Sequence, residues 1–278
     1  MKMINRRSFL AAAGLTAAAL ALTACGGSAS STASSTASSA ASSEAASTSA
    51  AAELTTVEAG KLTMATNAAF PPYEMTTDAG EFEGIDIDTA KAIAEKLGLE
   101  LQIDDMDFDA ALLSVQQGKA DIVMAGVTVT DERKAVMDFS DSYATGIQSI
   151  IVPEGSDITS PDDLAGKKIG TQRGTTGYIY CSDDFGDDAV VAYDDGLTAV
   201  QALNNGQVDA VVIDNAPAKE FVAANPGLVI LDTSYAEEDY AIGLAKGSAL
   251  EDAVNAALEE LKADGTLQSI VDKYITAE

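Results

Sequence analysis

The chain has no histidine and no tryptophan, and it carries only two cysteines, Cys25 and Cys181, in 278 residues. Without histidine it lacks the commonest metal ligand and the commonest general acid–base group. Two distant cysteines do not make a disulfide framework, and Cys181 is interpreted as a half-buried helix thiol. The sequence therefore predicts no metal site and no cofactor, and it argues against an enzyme.

Basic residues are also scarce, with 16 Lys and Arg against 44 Asp and Glu and a net charge of −28. This excess of negative charge makes nucleic acid and an anionic membrane surface poor direct partners. The densest acidic run, Asp105–Asp109, has the acid spacing of a calcium loop. It lacks the glycine after the third acid and has Gln116 in place of the bidentate glutamate, so we reject a calcium site there. The acidic excess is interpreted as solvated surface.

The N-terminal region has the features of an export signal. The pair Arg6–Arg7 precedes an apolar run that is too short to span a bilayer as a mature helix. The segment Leu22–Cys25 resembles the lipobox of bacterial lipoproteins, which implies a signal peptide over 1–24, cleavage before Cys25 and a diacylglycerol group on its sulfur. Asn5–Leu10 also resembles a twin-arginine signal, and the choice between that route and general secretion stays open.

Residues 25–56 follow this signal as a predicted tether. Ser, Ala and Thr make up most of it, and Glu44 is the one charged residue between Gly26 and Ala52. Such a composition cannot bury a core and predicts a disordered coil with a root-mean-square span of roughly 30 Å. Glycosylation of its hydroxyl groups stays open. The predicted product is an extracytoplasmic domain anchored to the cell membrane through a lipid.

From Lys61 onwards, short apolar strands alternate with amphipathic helices. The predicted elements of the first half are Leu62–Thr66 (strand), Asp86–Leu97 (helix), Leu99–Ile103 (strand), Asp109–Gln117 (helix) and Asp121–Ala125 (strand). The pattern restarts after Val152, with a capped helix start at Ser160–Pro161 and a strand over Lys168–Thr171. Such alternation is typical of α/β folds with parallel sheets and right-handed crossovers.

The sequence also repeats a short pattern 88 residues further along. Gln117–Met124 contains a helix end, a glycine and a buried strand, and Asn205–Val212 repeats that order. In this register Gly126 corresponds to Asp214. The repeat fits either a duplication or two copies of a common helix–strand turn. As a duplication, it predicts two similar half-domains that place polar groups at equivalent strand ends, facing each other across a cleft.

The most distinctive segment is Ala125–Ser140, at the end of a predicted strand. Thr130 can cap a short helix whose first turn carries Arg133. Ligands of open α/β sheets bind at such strand ends, and a guanidinium there suits a carboxylate. The segment closely resembles the signature of the polar amino-acid-binding family (family 3) of ABC-transporter solute-binding proteins. The resemblance covers about 61–274.

This resemblance implies an α/β fold of the two-lobe periplasmic-binding-protein type II, in which each lobe is a mostly parallel sheet flanked by helices and a two-strand hinge joins the lobes. It implies lobe 1 at 57–149 and 243–278 and lobe 2 at 150–242, with crossings near Ser149–Pro153 and Asp239–Ala245. It also implies a function, that of a monomeric receptor which captures a free L-amino acid and delivers it to the permease of an ABC importer.

In the resemblance, Arg133 holds the carboxylate of the amino acid. Thr128 and backbone N–H groups around Thr175 and Thr176, at a helix start suited to an anion, assist it. The alternative for Arg133 is an exposed salt bridge with an acid such as Asp138.

The ammonium of the amino acid is assigned to Asp214, which follows an apolar strand. The Gly126 carbonyl is the second acceptor, and the adjoining Ala125 belongs to the same site. The alternative for Asp214 is to cap the helix that opens around Pro217. The resemblance favours the site, since family members carry an acid at this position.

Phe70 and Phe108 match the family's aromatic positions on either side of the ligand side chain. The class of that side chain depends on Asn67 and Gln172, which are neutral hydrogen-bonding groups and therefore favour a neutral polar ligand. Arg173 lies next to Gln172 and leaves an acidic ligand open if it points inwards.

Two other functions stay open on the sequence. The same fold hosts periplasmic dehydratases that act on cyclic amino-acid precursors, so the fold alone does not exclude an enzyme. The lack of histidine and of a nucleophile constellation argues against that alternative. The second is an amino-acid sensor module, which would bind the same ligand but contact a different partner.

Overall fold

The computed structural model describes residues 54–275. The predicted signal peptide at 1–24, the predicted lipidation site Cys25 and most of the predicted tether at 25–56 lie outside the described residues. Between residues 54 and 275, no helix combines the length and apolarity needed to cross a membrane. This region contains two large β-sheets with helices on their faces and a small three-stranded sheet.

The strands and helices follow one another in the predicted alternation. The strands are β1 (Lys61–Thr66), β2 (Ala69–Phe70), β3 (Glu74–Thr76), β4 (Phe82–Glu83), β5 (Glu100–Asp105), β6 (Ile122–Val123), β7 (Met137–Phe139), β8 (Ala144–Pro153), β9 (Ile169–Gln172), β10 (Val190–Tyr193), β11 (Ala210–Asp214), β12 (Leu228–Ile230), β13 (Ala236–Tyr240) and β14 (Gly243–Ala245). The α-helices are α1 (Ile85–Leu97), α2 (Phe108–Gln116), α3 (Asp131–Lys134), α4 (Thr176–Phe185), α5 (Gly196–Asn204), α6 (Asn215–Ala224), α7 (Glu251–Ala263) and α8 (Thr266–Tyr274). Short 3₁₀ helices cover Pro161–Leu164 and Asp187–Ala189.

The first sheet has the strand order β5-β1-β6-β14-β7. Strand β1 pairs in parallel with β5 and β6, whereas β14 runs antiparallel to β6 and β7. Successive side chains of a strand point to opposite faces. Leu62 and Met64 of β1 accordingly pack with α1 and α7, and Ala65 packs with α2. Helices thus cover both faces of the sheet, as the α/β prediction requires. The sheet itself is mixed, with two parallel and two antiparallel pairings, and not mostly parallel as expected.

The second sheet has the order β10-β9-β11-β8-β12, and β13 also pairs with β8. Ile151 and Val211 point to the face covered by α5 and α6. Ile150 and Val212 point to the opposite face, where they pack with Cys181 of α4. Cys181 is fully buried rather than half-buried as predicted, and burial raises the pKa of its thiol to about 12.

The chain passes from the first sheet to the second between Phe139 and Ala144, and it returns between Tyr240 and Gly243. Strand β8 pairs in the second sheet from its first residue, where Ala144 faces Tyr240. The predicted first crossing near Ser149–Pro153 is therefore too late in the chain, and lobe 2 begins before residue 150. The segment Ser149–Pro153, where the resemblance places this crossing, is the interior of one long strand.

The two lobes repeat the helix–glycine–strand unit found in the sequence. Helices α2 and α5 are each followed by a glycine with positive φ, Gly118 at 65° and Gly206 at 66°. The carboxylate of Asp121 then accepts the backbone N–H of Thr63 in β1 at 2.8 Å. In the same way, the carboxylate of Asp209 accepts the backbone N–H of Lys168, just before β9, at 2.8 Å. The predicted repeat is confirmed. Strand β6 covers only Ile122–Val123 and is therefore shorter than the predicted Asp121–Ala125. Its two neighbours, β1 and β14, each pair with it at only two positions.

Gly84 brings α1 close to the loop that precedes β3. Its φ is +132°, and a Cβ at this position would lie 2.1 Å from the Tyr73 carbonyl oxygen. The first N–H groups of α1, from Ile85 and Asp86, donate to the carbonyl oxygens of Pro72 and Tyr73. These bonds satisfy helix-start donors that have no partner within the helix. They also fix Asp86 beside the start of β3.

We expect Gly84→Ala to destabilise the protein by about 2–4 kcal/mol, because the methyl group meets backbone atoms and the positive φ adds strain. Gly80→Ala is the matched control, since its φ is +79° but nothing lies within 4 Å of a Cβ there. The control should lose about 1 kcal/mol. Urea unfolding measures both values, and equal losses would show that the contact between α1 and the loop is not tight.

Candidate functional site

Residues of both lobes line one cavity of ≈ 440 Å³, including its open mouth. All eleven residues predicted to bind a ligand line it, namely Asn67, Phe70, Phe108, Ala125, Gly126, Thr128, Arg133, Gln172, Thr175, Thr176 and Asp214. The lining is completed by Glu74, Gln148, Val212, Ile213 and Tyr240, which the sequence did not point to. The strand ends and helix starts of the two sheets thus converge on one place.

Arg133 is the cation of this cavity. The hydroxyl oxygen of Thr130 accepts the Arg133 backbone N–H and caps α3, as predicted. The guanidinium is buried and donates to the carbonyl oxygens of Thr128 (2.8 Å) and Gly174 (3.1 Å), while the Phe108 ring lies 5.3 Å away. The alternative of an exposed salt bridge is wrong, because the side chain is buried and bonds to carbonyl groups of both lobes.

Asp214 is a buried anion of the cavity, contributed by lobe 2. One carboxylate oxygen accepts the Ala216 N–H at the start of α6, so the predicted capping role is present. The other oxygen accepts the Ile147 N–H of β8 at 2.7 Å. Burial raises the pKa of this carboxyl to about 6, and the two N–H bonds oppose the rise. Asp214 therefore serves as a helix cap and faces the cavity as well.

Gly126 occupies the position in lobe 1 that corresponds to Asp214. Its φ is +54°, and a Cβ there would lie 3.0 Å from the Phe70 ring and 3.2 Å from the Tyr240 ring. Its N–H donates to Asp86 at 3.0 Å. A side chain would crowd this wall of the cavity, so a glycine suits the position.

Asn67 and Gln172 meet across the cavity, because the Gln172 amide donates to the Asn67 side-chain oxygen at 2.8 Å. The Asn67 amide donates in turn to the Met106 carbonyl. Arg173 points the other way and pairs with Asp194 at the surface, with 52% of its side chain exposed. The inward-pointing Arg173 that would suit an acidic ligand is therefore not present.

The turn before α4 supplies hydroxyl groups on the lobe 2 side. Thr175 caps α4, since its side-chain oxygen accepts the Tyr178 N–H. The hydroxyls of Thr176 and Thr128 lie 3.3 Å apart and join the two lobes. Unpaired N–H groups at the start of a helix favour an anion nearby.

Glu238 is a buried acid next to the site that the sequence analysis missed. One of its carboxylate oxygens accepts bonds from the Thr128 hydroxyl and the Gln148 amide, each at 3.0 Å. Burial alternates along β13, with Glu238 and Tyr240 buried and the residues between and before them exposed. Because alternate residues of a strand face the same side, Glu238 shares the buried face of β13 with Tyr240. This spacing of two residues from a buried aromatic residue is the signal in the sequence that could have identified Glu238 among its acidic neighbours.

Glu74 is the second missed acid, and it lines the cavity directly. It is fully buried, and neither carboxyl oxygen receives a bond from an N–H or hydroxyl group among residues 54–275. Its neighbour is the equally buried Asp86, which accepts the Tyr143 hydroxyl at 2.7 Å. Burial raises the pKa of Asp86 to about 6 and that of Glu74 well above its usual value. No periodic pattern marks Glu74, because β3 is only three residues long.

Comparison with known proteins matches residues 62–277 to the family described as bacterial extracellular solute-binding proteins, family 3. A probable histidine-binding protein of Neisseria gonorrhoeae is 32% identical over 99% of this chain and 98% of its own length. The arginine-binding extracellular protein ArtP of Bacillus subtilis is 33% identical over 78% of this chain and 87% of its own.

Solved structures show the same relationship. The arginine-, lysine-, histidine-binding protein ArtJ of Geobacillus stearothermophilus is 34% identical with a TM-score of 0.75, over 78% of this chain and 96% of ArtJ. An ancestral arginine-binding protein bound to glutamine is 43% identical with a TM-score of 0.75, over 78% of this chain and 99% of that protein. The two-lobe fold inferred from the sequence is confirmed.

The raised pKa of Asp214 predicts a pH-dependent stability. The pKa of this carboxyl is about 6 in the folded protein and about 3.8 in the unfolded chain. Proton binding therefore stabilises the folded protein fully below about pH 3.8, and this stabilisation is lost as pH rises through about 6. We expect the free energy of unfolding of the natural protein, relative to Asp214→Asn, to fall by about 2–3 kcal/mol between about pH 4 and pH 8.

Urea unfolding of both proteins at each pH provides the measurement. Asp232→Asn, which changes an exposed aspartate, is the control. A difference for Asp214→Asn that does not change with pH would mean that this carboxyl is not perturbed by burial.

Proposed function

Because the chain belongs to the bacterial extracellular solute-binding proteins, family 3, we propose that it is a receptor which captures a free L-amino acid between its two lobes and delivers it to an ABC importer. The family consists of solute-binding proteins and not of enzymes, as the sequence predicted. An amino-acid sensor would use the same site with another partner. The importer is preferred because ABC transport is the role of the arginine-binding relatives from Escherichia coli.

The observation that carries this proposal is the pair of buried opposite charges, Arg133 and Asp214, in one cavity. A free amino acid is a zwitterion and needs both a cation and an anion in a site that excludes water. Arg133 holds the α-carboxylate together with the Thr176 N–H, since the Thr175 N–H donates to the Gln172 carbonyl. Asp214 holds the α-ammonium, with the Gly126 carbonyl.

We assign the Thr128 hydroxyl to the ammonium rather than to the carboxylate. This hydroxyl donates its proton to Glu238, which leaves the oxygen free to accept but not to donate a further bond. The backbone N–H of Thr128 stays with the carboxylate as a second helper of Arg133. Phe70, Phe108 and Ala125 form the walls around the rest of the ligand.

Two features of the cavity bear on the side chain of the ligand. Asn67 and Gln172 favour a neutral polar side chain, as the sequence predicted, but they bond to each other and thereby satisfy part of their capacity. Glu74 is buried in the same cavity and receives no bond from an N–H or hydroxyl group of residues 54–275. A ligand that brings its own donors satisfies this carboxyl, and a positively charged one does so most strongly.

We therefore propose a cationic side chain such as that of arginine, with glutamine as the neutral alternative. Relatives of both kinds exist, since an arginine-binding protein and a glutamine-binding protein of Bacillus subtilis are 33% and 35% identical to this chain. The unpartnered carboxyl of Glu74 is the feature that favours the cation. The amide pair formed by Asn67 and Gln172 is the feature that favours the neutral ligand.

Attachment to the cell surface completes the proposal. The lipobox ending at Cys25 supports a lipid anchor, and the predicted tether at 25–56 supplies reach to a neighbouring permease. The receptor acts as a monomer and closes by a hinge motion, which is the behaviour of periplasmic binding proteins. Because only ligand contacts to both lobes favour closure, the closed form is the one that docks the permease.

Arg133→Ala should weaken amino-acid binding by about 2–5 kcal/mol, because it leaves the carboxylate of the ligand unpaired in a dry site. Arg173→Ala is the matched control, since it removes a neighbouring arginine whose side chain points to solvent. Isothermal titration calorimetry gives both affinities. A change of less than about threefold for Arg133→Ala would remove it from the carboxylate site.

The function itself is tested by thermal unfolding of the protein, refolded to strip bound ligand, against L-amino acids, dipeptides and sugars. A ligand at about 1,000 times its dissociation constant adds about 4 kcal/mol, which raises the melting temperature by roughly 8–16 °C. A large shift with arginine supports the cationic assignment, and one with glutamine alone supports the neutral alternative. No shift with any amino acid would contradict the receptor function.

A further inference from the structure

Two carboxyl groups lie in contact at the wall of the cavity, which Glu74 lines and behind which Asp86 lies. Among residues 54–275, no Lys or Arg forms an ion pair with either of them. Glu74 begins β3 and Asp86 lies in the first turn of α1, and both side chains are fully buried. The close approach allowed by Gly84 brings the two elements together. Two ionised carboxylates in contact without solvent repel each other strongly, so such a pair retains a proton.

The hydrogen bonds around the pair place that proton on Glu74. Asp86 accepts the Gly126 N–H at 3.0 Å and the Tyr143 hydroxyl at 2.7 Å, and it lies at the positive end of the α1 dipole. These donors favour the ionised form of Asp86. Glu74 receives no bond from an N–H or hydroxyl group within the described part of the chain. Its protonated form can instead donate to Asp86.

Within the described part of the chain, the other ionisable groups that face Glu74 do not supply positive charge. They are Tyr73, Asp86, Asp105, Tyr143 and Asp214. Arg133, the cation of the same cavity, bonds to backbone carbonyl groups of both lobes. The residues that face the pair therefore provide no positive charge to balance it.

We propose that the Glu74–Asp86 pair holds one proton in the ligand-free protein and exchanges it for the positive side chain of the ligand. On binding, the O–H bond of Glu74 breaks, its proton passes to solvent, and the carboxylate pairs with the cationic group. A neutral side chain leaves the proton in place. This inference rests on the proposed function and makes the carboxyl pair a determinant of side-chain charge.

Proton release is measured by isothermal titration calorimetry at about pH 7.5 in buffers that differ in ionisation enthalpy. The slope of binding enthalpy against buffer enthalpy gives the number of protons released. We expect a release approaching one for L-arginine and near zero for L-citrulline, which has a similar shape and no charge. Asp214 contributes little at this pH, because its pKa of about 6 leaves it largely ionised.

Two variants identify the source of the proton. Glu74→Gln should abolish the release on binding arginine and reduce the preference for arginine over citrulline at least tenfold. Glu237→Gln is the control, since it changes an exposed glutamate outside the cavity, and it should keep the release. Release that persists in Glu74→Gln, or arginine binding without release in the natural protein, overturns the inference.

A second measurement does not depend on a variant that folds. In the natural protein, the ratio of arginine to citrulline affinity should rise by about tenfold per pH unit while Glu74 is protonated in the free protein. Titration of Asp214 cancels in this ratio, because both ligands carry the same ammonium. A ratio independent of pH, or binding of neutral amino acids only, overturns the inference while the receptor function stands. Failure of every amino acid to bind contradicts the receptor function itself.

Discussion

The cavity depends on the hydrogen bonds that hold the buried guanidinium of Arg133. A charge removed from water is unfavourable unless hydrogen bonds compensate it, and here a carbonyl oxygen from each lobe does so. Thr128 supplies one and Gly174 the other. Since the two carbonyls belong to different lobes, the same group relates the lobes to each other. Phe108 covers the guanidinium and helps to keep the region dry.

The fold and most of the cavity could be predicted because strand ends are set by local pattern. Arg133 follows one strand end and Asp214 forms another, so the two meet once the lobes face each other. Glu74 could not be predicted in this way, since it lies on a three-residue strand without periodicity. The resemblance placed the first crossing near Ser149–Pro153, which is too late in the chain. The apolar pattern could not correct it, because that pattern is continuous through β8, which pairs in the second sheet from Ala144 onwards.

The two halves of the molecule share a plan and differ where they meet the cavity. Gly118 and Gly206 end equivalent helices with nearly the same φ, which preserves the local geometry. At the strand ends the halves diverge, with Gly126 in one and Asp214 in the other. At this position lobe 1 thus contributes backbone groups, and lobe 2 contributes a carboxylate. An acid in place of Gly126 would add a buried negative charge close to Asp86, which accepts the Gly126 N–H.

Asp86 connects the cavity wall at Gly126 to the segment between Phe139 and Ala144, in which the chain passes from lobe 1 to lobe 2. One of its carboxylate oxygens bonds the N–H of Gly126, and the other bonds the hydroxyl of Tyr143, which lies where the chain first leaves lobe 1. A carboxylate is rigid, so displacement of one oxygen moves the other. Asp86 therefore fixes the Gly126 wall of the cavity relative to the segment in which the chain leaves lobe 1.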